Sequence, residues 1–172
     1  MGYLKIFLLA FLFASCDKVQ PDTPPLPILQ EHIQFIKNDQ DLLSDLELSQ
    51  DKNLQGMVLK NQYQLQVYLN GKRIQNYPSD LYRKKEDTNF YYLEFFTDLE
   101  LEYDWEDTGF TQNYTEYKLK CPLLFGDEQF HVLRIDFTFE NRQVNRTKIT
   151  LDGRDGKILQ QDNESSLSVI TP

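Results

Sequence analysis

Cysteine is scarce in this chain: it occurs only at Cys16 and Cys121, so no disulfide framework of the kind that staples small secreted domains is available. Basic residues are outnumbered, with 18 Lys and Arg against 27 Asp and Glu and a net charge of −9. An acidic chain is repelled by phosphate backbones, and nucleic acid is therefore excluded as a partner class. Histidine is limited to His32 and His131, and no Gly-x-Ser-x-Gly, His-Glu-x-x-His or glycine-rich phosphate loop is present. No catalytic residue, resident metal or cofactor is expected, and the chain reads as a non-enzyme. Long apolar runs are missing as well. The run from Ile6 to Ala14 is about half of the roughly 20 residues that a bilayer-spanning helix needs.

That short run, preceded by Lys5, fits the apolar region of a secretory leader. It ends in Phe13-Ala14-Ser15-Cys16, which resembles the lipobox of bacterial lipoproteins: a bulky apolar residue, two small residues, then cysteine. Phe13 stands where leucine is usual. The resemblance implies a signal peptide over residues 1–15 and lipidation of Cys16 as the mature N-terminus. Two or more acyl chains there would anchor the protein to a membrane, where one alone binds marginally. The Phe-Ala-Ser-Cys-Asp start, with many Tyr, Asn and Lys, is similar in style to lipoproteins of the Bacteroidetes. The expected address is the cell envelope, at the outer membrane, on its periplasmic or surface face. Residues 16–27 carry Pro21, Pro24, Pro25 and Pro27 and read as a semi-rigid tether. With Cys16 lipidated, Cys121 has no partner for an internal disulfide.

Residues 28–37 place Ile28, Leu29, Ile33 and Ile36 near one face of a helix, with Pro27 at its start, and predict a short N-terminal helix. A second helical turn is expected over Leu42, Leu43 and Leu46, capped by Asn38 or Asp39. From residue 57 onward the period falls to two. Tyr63, Leu65, Val67 and Leu69 alternate with polar neighbours and run into Asn70-Gly71, a strong hairpin signal. Phe90 to Thr97, Tyr114 to Cys121, His131 to Phe139, Lys148 to Leu151 and Lys157 to Leu159 read as further strands. Beyond the leader, every glycine (Gly56, Gly71, Gly109, Gly126, Gly153, Gly156) falls between two of these segments. The prediction is a single, mainly β domain over residues 28–160, an antiparallel β-sandwich, Ig-like or similar, carrying the short N-terminal helix. The alternative is an α+β fold with one helix on an antiparallel sheet. Residues 161–172 read as a polar C-terminal tail, in which Leu167 to Ile170 forms at most a last edge strand.

Asp98, Glu100, Glu102 and Asp104 alternate with Leu99, Leu101, Tyr103 and Trp105. Like charges along one face repel, so folding alone does not favour them. They read as an edge strand charged against edge-to-edge pairing, as a docking face for a basic partner, or as a cation site. The last is weakened by spacing, because alternate carboxylates on a strand lie about 6.5–7 Å apart. Trp105, beside loop carboxylates, suits stacking on a sugar or a protein hot spot if it is not core. Cys121 alternates with Leu119 and Tyr117 and reads as a small buried hydrophobe. His131 shares its strand face with Leu133 and Ile135, so a Cys121/His131 dyad is the lesser reading beside a structural one.

The expected function is that of a membrane-anchored envelope lipoprotein acting as a binding module, with a membrane contact through Cys16 and an envelope protein or glycan as partner. The alternatives are a glycan-binding lipoprotein built around Trp105, or an acidic inhibitor of a cationic envelope enzyme. The anchor is directly testable. Cys16→Ala should block maturation and release the chain from the membrane fraction. Unchanged fractionation, with no acyl mass on wild-type Cys16, would remove the lipoprotein reading.

Overall fold

The computed structural model describes residues 28–74, 80–85, 90–98, 112–140, 143–162 and 165–172. The expected leader and tether with Cys16, and Glu100, Glu102, Asp104 and Trp105, lie outside the described residues. Asp98 is described only through its backbone. The chain forms β1 (Ile28–Lys37), β2 (Gln40–Asp41), β3 (Gln64–Leu69), β4 (Lys72–Arg73), β5 (Tyr82–Lys85), β6 (Tyr91–Asp98) and β7 (Gln112–Lys120). After a one-turn helix α1 (Pro122–Phe125) come β8 (His131–Glu140), β9 (Gln143–Leu151), β10 (Arg154–Asp155), β11 (Lys157–Gln161) and β12 (Ser165–Ile170). The first sheet runs β11-β12-β1-β6-β5, with β2 on β1; the second runs β10-β9-β8-β7-β3-β4. Among the described residues no helix is long and apolar enough to cross a membrane.

The protein is therefore mainly β, with two sheets packed face to face. Leu29, Ile33, Phe35, Leu93 and Phe95 from the first sheet meet Val67, Tyr117, Leu119, Leu133, Ile135, Phe137, Ile149 and Leu151 from the second. The Phe95 and Tyr117 rings sit 4.9 Å apart across the interface, and the Tyr117 hydroxyl is 2.7 Å from Thr97 Oγ1. Pairing is antiparallel except between β1 and β12, which run parallel. The period-2 reading of β3, β7 and β8 holds, and Asn70-Gly71 makes the β3–β4 hairpin with positive φ at both residues (49° and 82°), as a two-residue primed turn requires.

Three expectations are corrected. The predicted N-terminal helix at 28–37 is strand β1. Its inward row is Leu29, Glu31, Ile33, Phe35, all buried, while Ile28 is 52% exposed; a glutamate in the middle of that row masks the alternation. Asn38 and Asp39 cap no helix. They are the central pair of the β1–β2 hairpin, both with positive φ (52° and 61°), a conformation Asn and Asp tolerate better than other side chains. The helical turn expected over Leu42, Leu43 and Leu46 is a series of turns instead. The Arg83 guanidinium takes the carbonyls of Leu43, Ser44 and Leu46 at 2.8, 2.8 and 2.9 Å, the acceptors a helix would have used internally. Finally, residues 165–170 are neither tail nor edge: β12 lies between β11 and β1. Its buried residues include Ser166 and Ser168, so its polarity hides its position.

The chain reaches β12 by changing sheets at Gly156. Asp155 pairs with β9 and Lys157 with β12, and a Cβ at Gly156 would lie 2.9 Å from the Val169 carbonyl oxygen. A bulge in the β8–β9 ladder follows Arg146. It reverses the alternation of β9, so that Val144 and Arg146 face inward before it and Ile149 and Leu151 after it.

Arg146 and Glu31 meet inside the sandwich, Nε to Oε1 at 2.9 Å, with side chains 0% and 2% exposed. The Ser166 hydroxyl donates to the second Glu31 oxygen. Arg146 Nη1 donates to the Asp162 carbonyl at 2.7 Å and its backbone N–H to Gln161 Oε1 at 2.8 Å. Burial pushes the Glu31 carboxyl up, opposed by the Arg146 charge and the Ser166 and Arg146 hydrogen bonds. Removing one member of such a pair strands the other. Arg146→Met alone should cost about 3–5 kcal/mol, and Glu31→Leu with Arg146→Met should recover most of that. Urea midpoints distinguish the two; a double variant no better than the single would show that charge pairing is not what holds these residues.

Candidate functional site

The outer face of the first sheet gathers polar groups that share no sequence neighbourhood. The β1–β6 register sets His32 opposite Glu94, and the β5–β6 register sets Lys84 opposite Tyr92. Alternation then turns Gln30 and His32 outward because Leu29, Glu31 and Ile33 turn inward. Glu94 is only 1% exposed and takes four contacts. Gln30 Nε2 donates to it, His32 Nε2 lies 3.3 Å from Oε1, and Lys84 Nζ lies 2.8 Å from Oε1 and 2.6 Å from Oε2. Burial alone would raise this carboxyl. The hydrogen bonds from His32, Lys84 and Gln30, with the Lys84 charge, outweigh it and hold the pKa at about 2.

An ionised carboxylate only accepts, so His32 Nε2 carries the hydrogen in this contact. The ring is further held by Tyr92, centroid to centroid 4.5 Å. His32 forms one wall of an open groove of about 390 Å³, completed by Gln160, Gln161, Asp162, Ser165, Ser166 and Leu167. The groove lies where β11 turns into β12. Asp162 shapes that turn: its carboxylate accepts from the Ser165 N–H at 2.6 Å and the Ser165 hydroxyl at 3.0 Å. Gln161 Nε2 reaches Asn145 at 3.1 Å. Ser166 and the Asp162 carbonyl are also partners of the buried Glu31–Arg146 pair, so the floor of the groove is part of the core network. The arrangement offers fixed amide, hydroxyl, carboxylate and imidazole groups, a surface for hydrogen-bonding a polar ligand.

The residues singled out in the sequence are not these. Glu100, Glu102, Asp104 and Trp105 lie outside the described residues, and the backbone of Asp98 pairs with Ile28 at the end of β6. Cys121 is buried, as its alternation implies, and burial pushes its thiol pKa up. His131 is held by carboxylates: Nδ1 is 2.6 Å from Asp152 Oδ2, and Nε2 is 3.0 Å from Asp127 Oδ1. Its ring stacks on Phe125 with centroids 3.9 Å apart. Among the described residues no cluster of His, Cys, Asp and Glu is arranged to hold a metal ion.

The Glu94 cluster has an acid signature. Its carboxyl is depressed from an ordinary 4.5 to about 2, so the stability it contributes is complete above 4.5 and is lost as pH falls toward 2. Lys84→Met should raise the Glu94 pKa and flatten the loss of thermal stability between those limits. The same acid profile in wild type and variant would show that Lys84 does not hold the charge. Compared with known proteins, the chain matches no family model, no curated protein and no solved structure.

Proposed function

We propose that the protein is a lipid-anchored envelope module that works by binding, and that its ligand surface is the groove beside His32. The observation that carries this reading is the groove's lining. Amide, hydroxyl and imidazole groups converge there on an open volume of about 390 Å³; Asp162 fixes Ser165, Glu94 fixes His32, and the Arg146 N–H and Asn145 fix the Gln161 amide through hydrogen bonds. Groups fixed before the ligand arrives lose little freedom on binding. A glycan is the ligand class that fits, because its hydroxyls both donate and accept and so match a lining of mixed polarity. The lipobox at Cys16 supports the location, and the proline-rich residues 16–27 support a stand-off from the membrane.

Calorimetric titration of the purified mature lipoprotein in detergent with a panel of oligosaccharides tests this. Saturable binding is expected for at least one of them. His32→Ala and Gln160→Ala should each weaken it about tenfold or more while leaving cooperative unfolding intact, the effect of losing about 1.4 kcal/mol of binding. No saturable heat across the panel, or binding indifferent to both substitutions, would defeat the reading.

A further inference from the structure

His131 stands apart from the groove, at the end of the second sheet where β8 begins. Both its ring nitrogens face carboxylates, and the two carboxylates belong to different segments. Asp127 lies on the loop between α1 and β8; Asp152 lies in the β9–β10 turn, with positive φ (50°). A neutral imidazole has one N–H, so it satisfies one acceptor and presents a lone pair to the other. Only the imidazolium donates to both. Among the described residues, the charged groups within hydrogen-bonding reach of the ring are these two carboxylates. The remaining contact is the apolar face of Phe125, and Leu119 is the residue opposite on β7.

We propose that His131 is a proton-operated latch: as imidazolium it fastens the loop at 126–130 to the β9–β10 turn, and as neutral imidazole it releases Asp127 and the loop with it. The two bonds are unequal. Asp152 is fixed on the ladder, accepting from the Val132 N–H at 2.8 Å and donating its own N–H to the Val132 carbonyl at 3.0 Å, and its contact with the ring is the shorter. Nδ1 therefore keeps its hydrogen, Nε2 gives its proton to solvent, and Asp127 is left facing a lone pair. Asp127 Oδ1 also accepts from the Gln129 N–H at 2.9 Å, so the loop's own turn is built on the carboxylate that is let go. The loop also carries Glu128, paired with Lys120 at 2.7 Å. Glu128 and Pro122 wall a cavity of about 270 Å³ with Lys60, Tyr63 and Lys120, and this wall loosens when the latch opens.

Burial works against the charged ring, but the hydrogen bonds to Asp152 and Asp127 outweigh it and raise the His131 pKa above its ordinary 6.5. With the folded-state value raised, the stability the latch contributes is fully present below 6.5, and the latch opens as pH rises through the raised value. The experiment is an NMR titration of the full mature chain in detergent micelles from acid to alkaline pH, following the His131 ring signal and the amides of residues 126–130. The ring midpoint should lie above 6.5, and the loop amides should shift with the same midpoint. Asp127→Asn should lower the ring midpoint and uncouple the loop, while His131→Gln should abolish the loop titration in a chain that remains folded. A ring midpoint at or below 6.5, or loop amides that stay still while the ring titrates, would overturn the latch.

Discussion

The buried pair of Glu31 and Arg146 is the constraint on which the rest of the sandwich depends. A carboxylate and a guanidinium inside an apolar core are tolerable only together and only with their remaining hydrogen bonds made. Those bonds come from Ser166 on β12 and go to the Asp162 carbonyl at the β11–β12 turn, while the Arg146 backbone N–H goes to Gln161 on β11. One pair thus ties the first strand, the ninth and the last two. It also sets the register of β1. A slip by one residue would put Glu31 in water and His32 in the core. The outward position of His32 and Gln30, and with it the wall of the groove, follows from where Glu31 must be.

What was legible in the sequence was local. β3, β7 and β8 announce themselves because every second side chain is apolar, or nearly so, and Asn70-Gly71 has one strongly preferred conformation. What was hidden depended on partners far along the chain. Glu31 breaks the alternation of β1 because Arg146 compensates it from the other sheet. Arg146 looks like a surface residue because a bulge, invisible in the residue order, turns it inward. The serines of β12 imply solvent, whereas Ser166 spends its hydroxyl on Glu31. The groove was unreadable for the same reason: His32, Glu94 and Lys84 become neighbours only through strand pairing. The acidic run from Asp98 and the lone Trp105 stand out by residue type and alternation, signals about chemistry that say nothing of which distant residues they meet.

Several tyrosines carry a cation on one face of the ring. On the outer face of the second sheet Arg134 lies over Tyr114 at 3.8 Å and Lys118 over Tyr68 at 4.3 Å, and on the inner side of the first sheet Arg83 lies over Tyr91 at 4.4 Å. Each cation is spread on a ring, an arrangement favourable by roughly 0.5–1 kcal/mol at exposed sites, and each of those rings has one face already occupied. In an acidic chain this keeps the positive charges next to their strands. It also means that these tyrosines are poor platforms for stacking on a ligand.

The parallel pairing of β1 with β12 bears on how the chain comes to be folded. The first strand lies between the last strand and β6, and its buried carboxylate waits for a hydroxyl 135 residues further on. A ribosome or a translocation channel delivers residues in order, so nothing emerging early can close this sheet. Contacts of such sequence separation are slow to form, because the chain entropy lost in bringing them together comes before any reward. Closure of this sheet accordingly waits for β12. Until β12 arrives, Glu31 has no buried partner hydroxyl and no reason to leave water.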